Sequence, residues 1–84
     1  MRYKEDHIML IYTQDRKNIV DARLFMVQRN IGGGKDGKYM IIACAAGIGG
    51  QAIAGAYPDE KTAMDALEKV YAAFADGAKT YKFD

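Results

Sequence analysis

Apolar residues run along the chain in short alternating groups, followed by one longer group with helical period. Ile8 to Thr13 (Ile-Met-Leu-Ile-Tyr-Thr) is β-branched and aromatic and predicts a strand. The polar cluster Gln14-Asp15-Arg16-Lys17-Asn18 predicts a hairpin turn, after which Ile19 and Val20 resume the apolar pattern. From Ala22 to Gln28 the positions alternate, with Leu24 and Met26 on one face and Arg23, Phe25 and Val27 on the other. The glycines of Gly32-Gly33-Gly34-Lys35-Asp36-Gly37-Lys38 do not hold regular structure cheaply and predict a mobile loop. Tyr39 to Ala45 predicts a buried strand, Gly47-Ile48-Gly49-Gly50 a turn, and Gln51 to Tyr57 a second strand poor in large side chains.

A helix follows. Pro58 stops the strand before it, Asp59 is a good N-cap, and Glu60 suits the positive end of the helix dipole. Ala63, Ala66, Leu67, Val70 and Phe74 fall on one stripe, while Glu60, Lys61, Asp65, Glu68, Lys69 and Asp76 decorate the other sides. Lys61 with Asp65, or Asp65 with Lys69, are spaced to pair. Gly77 suits the position just past the last turn, so the helix is expected over Asp59–Asp76. The tail Thr80-Tyr81-Lys82-Phe83 alternates again, as an edge strand or as a pin on the helix end.

Composition narrows the function more than it defines it. A chain of 84 residues makes one domain, 1–84, because two cores would each be too small to fold without staples. Its formal net charge of +1 gives no strong electrostatic reason to bind nucleic acid or an anionic membrane. The single cysteine cannot close an internal disulfide, and no Cys/His cluster has zinc spacing, so neither metal nor cofactor is expected. The charged opening Met1-Arg2-Tyr3-Lys4-Glu5-Asp6-His7 precedes too short an apolar run for a signal peptide. Tyr39 to Tyr57 is uncharged, but the glycines at its centre supply little transfer energy to a spanning helix. A soluble, cytoplasmic protein is the expectation.

Several segments resemble sites of chemistry. Gly32, Gly37 and Lys38 have the spacing of a phosphate-binding loop, but Tyr39 stands where a Ser or Thr should hold magnesium. That loop should also open a helix, whereas Tyr39-Met40-Ile41-Ile42 reads as a strand. Gly47-x-Gly49-x-x-Ala52 fits a dinucleotide turn, yet a helix beginning there would meet Pro58 after two turns. His7 lies beside Glu5 and Asp6, but Asp6 would point to the opposite face of a strand and no nucleophile is placed to use the pair. Cys44, in an apolar run without a basic neighbour, reads as an inert core thiol. The carboxylates Asp59 with Glu60 and Asp65 with Glu68 have simpler roles as cap and solvated helix face. No residue is assigned a catalytic role.

The segment Met9-Leu10-Ile11-Tyr12-Thr13-Gln14-Asp15, followed by Ile19-Val20, resembles the opening of a family of short uncharacterised proteins from Gram-positive bacteria and their phages. Members begin Met, aromatic, Ile, Arg, Ser, Gln, Asp; here Leu10 replaces the aromatic and Tyr12 the Arg. Gly55-x-Tyr57-x-Asp59-x-Lys61-x-Ala63, then Leu67, Ala72 or Ala73, Gly77 and Tyr81, is similar to that family's strand, capped helix and closing tyrosine. The family pattern ends in an apolar residue and Pro, where this chain has Phe83-Asp84. The resemblance covers the first hairpin and the last third. It implies a β-meander with a helix and carries no known activity.

The expected fold is therefore α+β: an antiparallel meander of about five strands with one C-terminal helix packed on one face. One helix covers one face only, so Tyr12, Arg23, Phe25, Val27, Tyr39 and Ile41 are expected to form an interface with a second copy, a dimer being favoured. The alternative is a nucleotide or phosphate held by Gly33, Gly34, Lys35, Gly37 and Lys38 or by Gly47, Gly49 and Gly50. The second alternative is single-stranded nucleic acid stacked on Tyr12, Phe25 and Tyr39 beside Arg23 and Arg29. The balanced charge weighs against it.

Overall fold

Five strands and one helix follow in the order β1 (Met9–Tyr12), β2 (Ile19–Arg29), β3 (Tyr39–Ala45), β4 (Gln51–Tyr57), α1 (Glu60–Ala75) and β5 (Thr80–Lys82). The computed structural model describes residues 9–45 and 50–84. One sheet runs β4-β3-β2-β1-β5, and its first four strands are an antiparallel meander. The fifth departs from the expected pattern. β5 lies parallel to β1, Leu10 opposite Thr80 and Tyr12 opposite Lys82, because α1 carries the chain back to the end of the sheet where β1 begins.

β2 runs unbroken from Ile19 to Arg29 and serves two partners. Its first four residues pair with β1, Met9 opposite Ala22 and Tyr12 opposite Ile19. The rest pairs with β3, from Leu24 opposite Cys44 to Arg29 opposite Tyr39. The pairing slips by one residue between Ala22 and Leu24, a bulge that bends the strand at Arg23. A second slip falls in β4 between Ile53 and Gly55.

These bends let the sheet curl until the turn after β1 reaches the outer edge of β4, three places away in the strand order. The Gln14 amide donates to the Ala54 carbonyl (2.7 Å), and its side chain accepts from the Ala56 N–H (2.9 Å). The side-chain amide also donates to the Ala56 carbonyl (3.3 Å) and to that of Asp84 (2.7 Å). One residue thus replaces a neighbouring strand on an edge that would otherwise be bare. Arg16, at φ 64°, aims its guanidinium at the carbonyls of Phe83 (2.6 Å) and Thr13 (3.1 Å). The turn itself is held by Asp15, which accepts from the Thr13 hydroxyl (2.7 Å) and the Lys17 N–H (2.9 Å).

Inside the curl lie Met9, Ile11, Ala22, Ile41, Ala43, Ala54, Tyr57 and Phe83, closed over by Ala63 and Val70 of α1. Gly55 belongs to this packing: a Cβ there would meet the Tyr57 hydroxyl at 2.5 Å, so glycine lets the ring lie across β4. The helix limits agree with the sequence reading. Asp59 accepts from the Thr62 N–H and hydroxyl, both at 2.8 Å. Gly77 at φ 92° ends the helix, with Ala78 N–H on the Ala73 carbonyl and Gly77 N–H on that of Phe74. The buried stripe is narrower than expected: Ala63 and Val70 are buried, Ala66, Leu67 and Ala73 half-buried, and Phe74 is exposed.

Asp59 and Asp15 give the fold a defined acid response. The Thr62 N–H and hydroxyl hold the Asp59 carboxyl below its usual range, and the Lys17 N–H and Thr13 hydroxyl do the same for Asp15. A depressed folded-state pKa contributes stability that is complete above the unfolded value and is lost as pH falls through the folded one. Urea midpoints are therefore expected to drop as pH falls below about 4. In Asp59→Asn, which keeps the accepting oxygen but does not titrate, the drop should be shallower. Identical slopes for the two proteins would remove Asp59 from this response.

Candidate interaction surface

The residues expected to form an interface do not share a face. Phe25 and Val27 are half-buried against the core, Tyr39 packs there too, and Ile41 is fully buried. Only Tyr12 turns away from the helix, while Arg23 sits exposed at the bulge. The bulge is the physical reason. Ala22 and Phe25 both point into the core, three residues apart, so strict alternation is broken between them. Phe25 and Val27 consequently go under the helix, and Leu24 and Met26 take the outer face. The same correction applies to the expected stacking platform, since Tyr12, Phe25 and Tyr39 do not form one open surface.

Apart from Ile31 in the glycine-rich loop and Met64 on α1, the large apolar side chains that remain exposed fall into two groups. On the outer face, Leu10, Tyr12 and Ile19 line a hollow of about 300 Å³ with Thr80, Tyr81 and Lys82. Arg16 caps this end, its guanidinium 5.1 Å from the Tyr12 ring centre. Ile53, paired with Ile42, is exposed beyond it, as is Leu24. The second group lines a groove of about 360 Å³ between β2 and α1. Arg23, Leu24 and Phe25 form one wall, and Leu67, Glu68, Tyr71 and Phe74 the other. Among the described residues the one ion pair is the exposed Lys61–Asp65 contact (3.1 Å), so neither Arg23 nor Glu68 is paired with another described residue.

The described glycines of the two segments flank β3, Gly32 to Gly37 before Tyr39 and Gly50 after Ala45. In the first, the Gly33 N–H donates to the Asn30 carbonyl (3.1 Å) and the Gly37 N–H to that of Gly34 (3.4 Å). Asn30 ties the loop further, its side chain on the Gly37 carbonyl (2.9 Å) and its N–H on that of Lys38 (2.7 Å). The expected mobile loop is thus a stitched hairpin end whose Gly33 and Gly37 amides are already engaged, with Gly34, Lys35 and Lys38 exposed around it. The chain enters β3 at Tyr39, without the helix a phosphate loop requires. In the second, Gly47 and Gly49 lie outside the described residues, and Gly50 is exposed with its carbonyl accepting from Ala45 (3.1 Å). Ala52 pairs with Ala43 in β4, so Tyr39 to Tyr57 forms a hairpin rather than a dinucleotide turn.

Comparison with protein-family models, with curated proteins and with solved structures finds no match to this chain. A functional reading must therefore come from the chemistry of its surface.

Glu5, Asp6 and His7 lie outside the described residues. Cys44 is half-buried, not a core thiol, with the Gln51 side-chain amide 3.7 Å from its sulfur. No group of three or more metal-ligating side chains occurs among the described residues, and no helix there is long and apolar enough to cross a membrane. Sequence reasoning overlooked a cleft of about 200 Å³ between α1 and the chain's last strand, where Tyr57 and Tyr81 meet Thr62, Asp65, Lys69 and Asp84. Burial pushes the Tyr57 phenol above its usual range, and the neighbouring Tyr81 and Asp84 add to the effect. Burial, then Asp84, raises Tyr81 likewise. Both hydroxyls stay protonated at neutral pH, the opposite of what a tyrosine base needs. The signal for this cleft was present in the tyrosines of the family-like pattern, but nothing local brings them together across the fold.

Proposed function

We propose that this chain is a non-enzymatic interaction protein that self-associates, as a homodimer, through its exposed apolar surface. One observation carries the reading: Leu10, Tyr12, Ile19, Leu24 and Ile53 remain 37–68% exposed. Scattered apolar residues are ordinary on a protein surface, whereas neighbouring large ones mark a docking surface. A stable dimer needs roughly 800 Å² from each subunit, about one seventh of this chain's 5678 Å². Glycine-loop binding of phosphate is less favoured, because the Gly33 and Gly37 amides are already bonded within the loop.

Sedimentation velocity across the micromolar range tests this. The expected result is a concentration-dependent boundary that approaches twice the monomer mass. A single monomeric boundary at every concentration would overturn the reading.

A further inference from the structure

Resting on that reading, we infer that a second copy of the chain seats on the groove between β2 and α1, with the two-fold axis running along the groove. The groove's two walls differ in charge: β2 brings Arg23, α1 brings Glu68, and both are exposed. Between them lie Leu24, Phe25, Leu67, Tyr71 and Phe74. A two-fold contact is isologous, so each patch must complement itself. Rotation about an axis along the groove sets the β2 wall of one chain against the α1 wall of the other. Arg23 then faces the partner's Glu68, and the pair forms twice.

The apolar centre fits the same rotation. Tyr71 is 68% exposed, far beyond what a helix packed on its own sheet requires, and Phe74 is 41% exposed. The rotation brings Tyr71 onto the partner's β2 wall, where Leu24, itself 52% exposed, borders an unfilled space. Aromatic side chains entering such a space are the anchors that dominate interface energetics. Rim charges add modest affinity but strong selectivity, since like charges opposite one another repel. Leu24 is the residue of the groove that also belongs to the exposed apolar side chains of the outer face.

Charge exchange tests the arrangement directly. Arg23→Glu and Glu68→Arg each turn two attractive contacts into two repulsive ones, and each is expected to weaken dimerisation at least about ten-fold. Combined in one chain, R23E with E68R restores opposite charges across the axis, and affinity should return to near the wild-type value. Tyr71→Ala should weaken the dimer without a charge change. Far-ultraviolet circular dichroism and thermal melting, unaltered in the single variants, separate a lost contact from a lost fold. A wild-type dimer that neither reversal weakens, or a double variant no better than the singles, overturns this contact and leaves self-association intact. A monomeric wild-type protein removes both.

Discussion

Phe83→Ala is expected to destabilise the fold by about 3–5 kcal/mol, the loss usual for truncating a fully buried aromatic ring. Phe83 is 1% exposed and sits one residue beyond β5, where its N–H donates to the Tyr12 carbonyl (3.0 Å). Its ring meets Tyr81 edge-on at 5.1 Å between centroids and approaches Phe25 at 6.5 Å. It fills the space between the β1 end of the sheet and the helix-facing side of β2, where Met9, Ile11 and Ala22 are also buried. A domain of this size has a total stability of about 4–13 kcal/mol, so the variant would stand near the folding threshold. Urea unfolding checks this, and Phe83→Leu, which keeps most of the volume, should lose much less. A loss below about 1 kcal/mol for the alanine variant would mean that the ring is not part of the core.

Gln14→Ala is the second large effect, about 2–4 kcal/mol. The substitution removes the side-chain bonds to both backbone groups of Ala56 and to the Asp84 carbonyl. Each of the three bonds contributes about 0.5–1.5 kcal/mol net, and together they give that range. The consequence is also topological, because Gln14 joins the first turn to the far edge of the sheet. Exchange of the Ala56 amide with solvent deuterium should accelerate well beyond the global change. Gln14→Glu separates geometry from hydrogen bonding. Its carboxylate still accepts from the Ala56 N–H but faces two carbonyls it cannot donate to. Its folded-state pKa is accordingly raised, and the variant should gain stability as pH falls and the carboxyl takes up a proton. An alanine variant as stable as the wild type, with Ala56 still protected, would show that the curl closes without Gln14.

Gln14, Gly55, Tyr57, Asp59 and Gly77 are among the positions on which the family resemblance rests. In the structure these residues close the sheet, make room for a ring, and start and stop the helix. They are frame residues, and their pattern speaks to architecture. The groove draws mainly on Arg23, Leu24, Glu68 and Tyr71, which lie outside that pattern, whereas the outer-face residues Leu10, Tyr12 and Ile19 lie within it.

Local chemistry determined the helix and its limits, since Asp59 and Gly77 act on backbone groups within a turn of themselves. It also determined the Tyr39 to Tyr57 hairpin, whose two apolar runs pair antiparallel. The orientation of β2 was not legible in the same way. Leu24 with Met26 and Phe25 with Val27 offer two apolar faces of similar character, and a period of two does not say which one is buried. The bulge at Arg23 decides it, and no residue pattern marks a bulge whose purpose is to bend the sheet around a distant core. The same holds for β5, which the chain's alternation announces as a strand but whose parallel seat beside β1 is set by where α1 ends. Gln14 reads as a turn residue and acts as a strand edge, because its partners lie 40, 42 and 70 positions away. The sequence by itself thus determined the elements, through interactions that span a few residues. Only the tertiary structure decided which sides face inward and which surface stays exposed, because those depend on contacts between segments far apart in the chain.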